Sequence, residues 1–568
     1  MAHTDNVLTN GSNGSNGSNG SNGQARPNVL IVSLKGDNLV NIAPPVGLYL
    51  LSAYLQKCGI CCDVLDRELE ETEPYLDAVR KGEYDIVGFS VSHLYMEDDL
   101  ELVWKFRTEA AQHGRHCLFI AGGQEATSNA EQWIDNGIDM VFMGFPEREL
   151  VKFCKNLTRE DFADATPDLA TSTEGFAGIV YKQGEDFVTI GTPVLTNEQL
   201  RELCYDLVLE TELPYKPYWD QLRARSADQS LGGSDFFFEN VRVYTTSHCP
   251  RLCGFCSSQS FLPDAQGKNS PITMLSAEEI ANLIVHYWEE YGALSILFSD
   301  DDFPVGNKPG IERLDKLCDY IIDLKSEGRI PEKMRFSCQA RVYDFFGRRK
   351  GEKWINWDLM RKMHQAGFMS VGMGVETYND RIMKVPSVNK IGVNREDCIA
   401  IIDAMLEIGL VPQTNLILGI PEYTPEELIE TMEVAYSYLQ RDCNVATTRL
   451  MNVLPGAPIQ RSGAYEVFYR TWVNPYTGKE LKIEDYFIPH HPVIREGIDK
   501  FDELAEVELN DIAQQRGWED KIIGKRVVHT CSLIGVARAI GRDDVADRFR
   551  GFLDELIDES EQRRFAFV

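Results

Sequence analysis

The chain has 568 residues, 43% of them hydrophobic and 26% charged, which is room for about three or four domains with ample buried core. Its formal charge of −31 excludes a sequence-independent hold on nucleic acid, which needs a basic surface. No run approaches the ~20 apolar residues of a membrane span. The best candidate, Val46 to Leu55, reads as a core helix. The start lacks the basic-then-apolar order of a signal peptide, so a cytoplasmic location is expected.

Residues 1–26 contain GSNGSNGSNGSNG, a repeat that buries nothing and reads as a flexible tail. Across 27–157 apolar runs at Val29–Val32, Val64–Leu65, Ile86–Phe89, Leu118–Ile120 and Met140–Met143 predict buried parallel strands. Helical stretches at Leu48–Lys57, Glu97–Gln112, Ala130–Asn136 and Glu147–Asn156 separate them. The result is a five-stranded doubly wound, Rossmann-like sheet, with ligands expected beyond the carboxyl ends of its strands. Small residues stand at those ends: Ser90, Ser92, Gly122, Gly123 and Gly144. Glycines there let a flat ligand approach the backbone. His93, beside them, reads as a satisfied loop histidine.

Residues 158–236 read as a connector, with a hairpin at Gly178–Val188 and an aromatic stretch, LPYKPYWDQL, whose rings are for packing. From 237 to 458 the alternation returns with longer helices. A strand at Val241 and Val243 leads, and strands at Ser295–Ser299, Arg335–Ala340, Met369–Val375, Thr414–Leu418 and Thr448–Leu454 follow. The helices between them are predicted at Ala277–Tyr291, Gly310–Glu327, Asp358–Ala366, Arg395–Ile408 and Pro425–Leu439. Six βα steps make a partial TIM-type barrel, whose chemistry sits at the carboxyl ends of its strands. Residues 459–568 form a mixed, then mostly helical, tail with an acidic last helix. The fold class is α/β.

Immediately after the first barrel strand come Cys249, Cys253 and Cys256, spaced C-x3-C-x2-C. Three thiolates on one short loop can hold three irons of a [4Fe-4S] cube and leave the fourth open. A zinc ribbon needs a second cysteine pair at matching spacing, and none lies downstream. An odd trio on a tight loop also suits a disulfide framework badly. The other cysteines, of fourteen in all, are expected as free thiols; Cys58, Cys61 and Cys62, where a helix gives way to a strand, read as buried.

With Phe255 before its last cysteine, this loop resembles that of the radical S-adenosylmethionine (SAM) superfamily. The N-terminal stretches APPVGLYLLSAYLQKCG, YDIVGFSVS, IAGGQEAT and IDMVFMGFPERELV resemble the cobalamin-binding module that precedes the barrel in one large subgroup. Two departures stand out. The Asp-x-His-x-x-Gly signature of a histidine-ligated cobalamin is absent, its place taken by SLKGDNLV, and Gly144-Phe145-Pro146-Glu147 replaces Gly-Glu-Gly-Glu. The resemblance implies that Cys249, Cys253 and Cys256 hold the cluster, and that Asp300 and Asp301 of FSDDDF meet the SAM amino group. It implies Arg341 for a carboxylate, Glu376 for the ribose or methionyl part, and Ile417, Gly419 and Glu422 for the adenine, with Asn415 in place of a glycine. Aspartates at a strand end also serve as helix caps.

The family then implies a cobalamin-dependent radical SAM methyltransferase. One SAM is split to a 5′-deoxyadenosyl radical, methylcobalamin supplies methyl to an unactivated carbon, and a second SAM restores it. An electron donor such as flavodoxin or ferredoxin is implied, and a small molecule, a lipid or a peptide fits as substrate. The alternative is a rearrangement, ring contraction or cyclisation without net methyl transfer. A tRNA or protein methylthiotransferase would want an additional cysteine trio and a basic appendage, and neither is present.

Overall fold

The computed structural model describes residues 25–33, 43–173, 175–226, 239–267, 270–350, 352–441, 443–517 and 525–562. The Gly/Ser/Asn tail lies outside them, as does the loop after the first strand where the missing cobalamin signature would fall.

The N-terminal sheet is built on β1 (Val29–Val32), β2 (Cys62–Leu65), β3 (Ile86–Ser90), β4 (Leu118–Gly122) and β5 (Met140–Phe142). They run parallel in the order β2-β1-β3-β4-β5, the strand exchange of a doubly wound fold. The predicted helices are all present, the last at Glu147–Asn156. A further one, Glu73–Lys81, escaped prediction: only Leu76, Ala78 and Val79 of its nine residues are buried, too few for a clear periodic stripe.

The predicted five-stranded sheet has seven strands. The expected hairpin forms as β6 (Ile179–Gln183) and β7 (Asp186–Ile190), and β6 pairs antiparallel with β5. Without it β5 would be an open edge. Ile179, Val180 and Tyr181 are buried there, so the hairpin belongs to the first domain and not to a connector. The aromatic stretch behaves as predicted: Tyr215, Tyr218 and Trp219 of helix Tyr215–Ser226 are buried.

The second sheet holds β8 (Asn240–Val243), β9 (Ser295–Phe298), β10 (Arg335–Ala340), and then, beyond the small hairpin β11 (Phe346–Arg349) and β12 (Glu352–Ile355), β13 (Phe368–Glu376), β14 (Val411–Ile417) and β15 (Asn444–Thr448). All six large strands are parallel and neighbour one another in chain order, with β8 and β15 left as the two edges, so the barrel is open. Alternate residues divide the sheet. Phe336, Cys338 and Ala340 are buried against the helices, whereas Ser337 and Gln339 point into the half-open concave side.

The sixth strand lies earlier than Thr448–Leu454. The chain leaves the sheet at Thr448, and Met451 and Val453 are buried instead by the tail, where Val453 N–H donates to the Asp485 carbonyl and Phe487 N–H to that of Met451 (2.7 and 3.0 Å). That tail opens with an antiparallel hairpin, β16 (Val467–Val473) and β17 (Glu480–Phe487), then helices Phe501–Arg516, Lys525–Ala539 and Asp543–Gln562. The hairpin docks on the first domain. Ile483 is fully buried in that domain's core, with Trp472 and Leu481 packed beside it, and Arg470 donates to Glu97 (2.8 Å) and the His93 carbonyl (3.0 Å). Phe501, Ile534 and Phe549 pack into the barrel core, so the tail straps the two domains together.

Candidate cofactor and active site

The cysteine loop is held from below by close backbone contact. A Cβ on Gly254 would overlap the carbonyls of Pro386 and Ser387, so only glycine lets the loop settle there. Gly254 N–H donates to the Val388 carbonyl (3.3 Å), and its own carbonyl accepts from Ile459 N–H (3.1 Å). Gln259 donates to the carbonyls of Cys253 (3.2 Å) and Cys256 (3.4 Å). Inside the loop, Arg251 donates to Asp302 (3.0 Å) and to the Val305 carbonyl. Arg251 also lies 3.6 Å from Asp344, and burial, then the charge of Asp302, pushes the Asp344 carboxyl well above its ordinary range. Two buried acids thus stand under Arg251, a link the sequence gave no reason to expect.

All three cysteines are free and half-buried, neither sealed in the core nor paired. Cys249 lies within electrostatic reach of Cys256, and Cys256 within reach of Cys253, so the three thiols share one neighbourhood. Among the described residues no three His, Cys, Asp or Glu side chains converge on one ion. A cube asks for something else, since each thiolate takes a different iron. The loop fits that demand. Of the other trio only Cys62 is buried; Cys58 is half-buried and Cys61 exposed, which corrects the expectation for that trio, because Cys61 precedes the strand rather than lying in it.

The aspartates after β9 divide their work. Asp300 is 2% exposed and accepts four hydrogen bonds, from the backbone N–H and hydroxyl of both Thr245 and Thr246 (2.6 to 2.7 Å), with Arg313 close by. Its oxygens are spent on shaping the turn into the cysteine loop, so it is neither a helix cap nor a free acceptor. Asp301 is exposed and within electrostatic reach of Cys249 and Cys256, with Ser258 beside it. Desolvation by the protein beside it raises its carboxyl pKa, which the neighbouring Ser258 opposes.

Arg341, just past β10, has a buried Nε with no hydrogen-bond partner among the described residues. A guanidinium donor left unpaired in a half-buried setting fits an acceptor that the protein itself does not supply. Glu376 ends β13 at a register shift, with the rare positive φ of 64°, and its carboxylate pairs with Lys390 at 3.0 Å, both buried. Lys390 went unpredicted, fourteen residues on in an irregular loop. It stands near Cys253 and Arg341, and the Glu376 charge raises its pKa against the opposing effect of burial.

Two of the adenine candidates are engaged elsewhere. Glu422 accepts hydroxyl hydrogen bonds from Ser387 and Tyr465 (both 2.6 Å), and a Cβ on Gly419 would meet the Arg449 carbonyl at 2.7 Å. Glu422 thus joins the loop beneath the cysteines to the tail, and Gly419 lies tight against the chain that leaves β15. Ile417 is buried at the end of β14 and Phe255 packs half-buried on the barrel core. On the concave face, Gln413 donates to Asn415 (2.9 Å) and Asn415 to Gln339 (3.4 Å), a polar row lying where Gly372 leaves room for the Gln339 side chain.

In the first domain the loop after β4 keeps the expected opening. A Cβ on Gly122 would touch only the Phe142 carbonyl at 3.5 Å, and Gly123, at φ 101°, has nothing within 4 Å. The five small residues do not form one cradle, however. Gly144 is buried, and its added Cβ would lie 3.0 Å from that of Ala265, so its small size serves packing between the domains. Ser90 and Ser92 are half-buried, the latter's N–H donating to Asp99 (2.9 Å). His93 is buried, with Nε2 2.5 Å from the Glu484 carbonyl and Nδ1 3.5 Å from Glu125, which makes it a joint between this domain and the tail.

The two candidate regions meet. Gln124 donates to Ser257 (3.0 Å) and Ser128 to Asp264 (3.1 Å), which places the open Gly122–Gly123 turn against the segment that leaves the third cysteine.

Comparison with known proteins agrees with this organisation. The B12-binding domain family matches residues 33–153, and the radical SAM superfamily matches residues 243–435. The fold is similar to that of the radical SAM methyltransferase TsrM from Kitasatospora setae, solved with cobalamin and a [4Fe-4S] cluster. The two share 14% identity at a TM-score of 0.60 over 93% of this chain and 99% of that one. It is also similar to OxsB, a cobalamin-dependent SAM radical enzyme solved with aqua-cobalamin and SAM, with 13% identity, a TM-score of 0.61, and 95% and 81% of the two chains covered. No curated protein matches by sequence. Among the described residues no helix is long and apolar enough to cross a membrane. The domain families imply cobalamin for the first sheet, and a [4Fe-4S] cluster with SAM for the second. The chain thus carries a B12-binding domain ahead of a radical SAM domain.

Proposed function

We propose that the protein is a cobalamin-dependent radical SAM methyltransferase acting on an unactivated carbon. The observation that carries this reading is the contact between the open glycine turn of the B12-binding domain and the cysteine loop of the barrel, through Gln124 and Ser257. A flat ligand on the turn and a cluster on the loop would face one chamber. When bound, the cluster with SAM supplies a carbon radical and the cobalamin supplies methyl; the protein's part is to hold and shield them.

In this reading Cys249, Cys253 and Cys256 ligate the cluster, and Gly254 and Arg251 fix the loop that carries them. Asp301 and the unpaired Nε of Arg341 orient the SAM amino and carboxylate groups, while the Glu376–Lys390 pair closes the wall beside Cys253. Asp300, Gly419 and Glu422 hold neighbouring segments in place rather than touch the ligand. The Gln413–Asn415–Gln339 row offers amides to polar groups of SAM or substrate on the concave face. Ser90, Ser92, Gly122 and Gly123 border the corrin, with Gly144 behind them.

TsrM is described as a methyltransferase and OxsB as a cobalamin-dependent SAM radical enzyme, so the architecture by itself does not choose between methyl transfer and rearrangement. The products separate the two. S-adenosylhomocysteine formed together with a methylated product supports methyl transfer, whereas 5′-deoxyadenosine with no S-adenosylhomocysteine overturns it in favour of rearrangement.

A further inference from the structure

In a chain of net charge −31, one short hairpin carries Arg348, Arg349, Lys350 and Lys353 against one acid of its own, Glu352, and Lys353 is paired with Asp397 of the neighbouring helix. Arg348 and Lys350 are exposed, as is Lys384 nearby in sequence to the loop beneath the cysteines, and no ion pair engages any of the three among the described residues. The hairpin is continuous with the cysteine loop. The Arg348 guanidinium lies 3.3 Å from the ring centre of Tyr343, and a Cβ on Gly392 would lie 2.8 Å from that same ring. Beside Gly392 stands Ile391, and Asn389 donates to the Leu252 carbonyl at 2.6 Å. Leu252, between Cys249 and Cys253, is 67% exposed and Ile391 72%, the two most exposed large hydrophobic residues described; Trp354 of the hairpin is 47% exposed.

An apolar centre edged by unpaired cations is the anatomy of a protein interface, and it reaches the surface at the one loop proposed to take up an electron. We propose that this face docks a small acidic protein carrying a one-electron centre, which rests on the radical SAM reading above. The overall negative charge would repel such a partner elsewhere, so local cations both steer it and fix where it lands. In the transfer one electron leaves the reduced carrier, which is oxidised, and enters the cluster, which is reduced; no bond forms or breaks.

The test uses reconstituted protein and a reduced acidic [2Fe-2S] ferredoxin as the probe. Binding of the oxidised ferredoxin is measured by calorimetry, and cluster reduction by stopped-flow absorbance, with dithionite as a small reductant that needs no docking. The Arg348→Glu/Lys350→Glu variant, and separately Ile391→Asp, should weaken binding and slow reduction by ferredoxin about tenfold or more at low salt, with the dithionite rate unchanged. Raising the salt should slow the wild type towards the variants. Wild-type binding and rates in both variants, with ferredoxin active on both, would overturn the docking face while leaving the cluster intact. A wild type that assembles no cluster would instead overturn the reading on which the proposal rests.

Discussion

At the residue scale, side chains that look alike in sequence separate by what already occupies them. Asp300 and Asp301 are neighbours in an FSDDDF run, yet one holds four donors and the other lies open beside the thiols. Asp300→Ala should therefore lower thermal stability, because it strands the buried Thr245 hydroxyl, the half-buried Thr246 hydroxyl and two backbone donors. Asp301→Ala should leave stability alone and weaken SAM binding about tenfold, the worth of one charge-assisted contact. Arg341→Met should do the same. Melting curves and SAM titrations of the three variants check this, and a large drop in melting temperature for Asp301→Ala would assign it a structural role. The Glu376–Lys390 pair makes a different prediction. Lys390→Met should cost roughly 3–5 kcal/mol by leaving a buried carboxylate unpaired, and adding Glu376→Leu should recover much of that loss. Denaturant unfolding of the single and double variants measures both, and additive losses would contradict the pairing.

Why some of these roles were legible and others were not follows from where the information lies. The cysteine spacing is local, and Gly254 and Phe255 sit within it. The Asp302–Asp344–Arg251 link and the Lys390–Glu376 pair join residues from different βα steps, and nothing local marks them. Glu422 fits its sequence pattern and yet bonds Ser387 and Tyr465, the second from the tail, which no pattern within the barrel contains.

At the scale of elements, strands and helices followed apolar runs wherever a run is buried by its own sheet. Arg335–Ala340, Ala277–Tyr291, Arg395–Ile408 and Pro425–Leu439 lie where predicted. The sixth barrel strand shows the limit. Asn444–Thr448 is less apolar than the Met451–Leu454 stretch after it, so the pattern favoured the later segment, whose burial comes from β17. The hairpin β6–β7 was recognised as a hairpin, but an antiparallel addition to a parallel sheet depends on which edge is free. Glycines after β4 and β5 make a prediction at this scale. Gly122→Leu should abolish corrinoid binding by filling the opening, while the fold and cluster persist, since its Cβ meets nothing closer than 3.5 Å. Gly144→Leu should instead lower the melting temperature, because its side chain would strike Ala265 and its φ of 67° disfavours any residue but glycine. Equal effects of the two on corrinoid content and stability would remove this distinction.

At the scale of the whole molecule, the tail turns two domains into one body. Ile483→Ala, a substitution in the tail hairpin, should destabilise the N-terminal domain by about 2–5 kcal/mol, because it opens a cavity in that domain's core. Hydrogen exchange in β3 and β4 would report the loss, and protection equal to the wild type would show that the hairpin is a passive appendage. The same strapping keeps the glycine turn against the cysteine loop, and the account depends on those two surfaces loading different cofactors into one chamber. The most direct measurement is the iron and corrinoid content of anaerobically reconstituted wild type, of the triple Cys249→Ala/Cys253→Ala/Cys256→Ala variant, and of Gly122→Leu. The account predicts about four irons and about one corrinoid in the wild type, corrinoid without iron in the cysteine variant, and iron without corrinoid in the glycine variant. Iron retained without the three cysteines, or corrinoid retained with the turn filled, would contradict it.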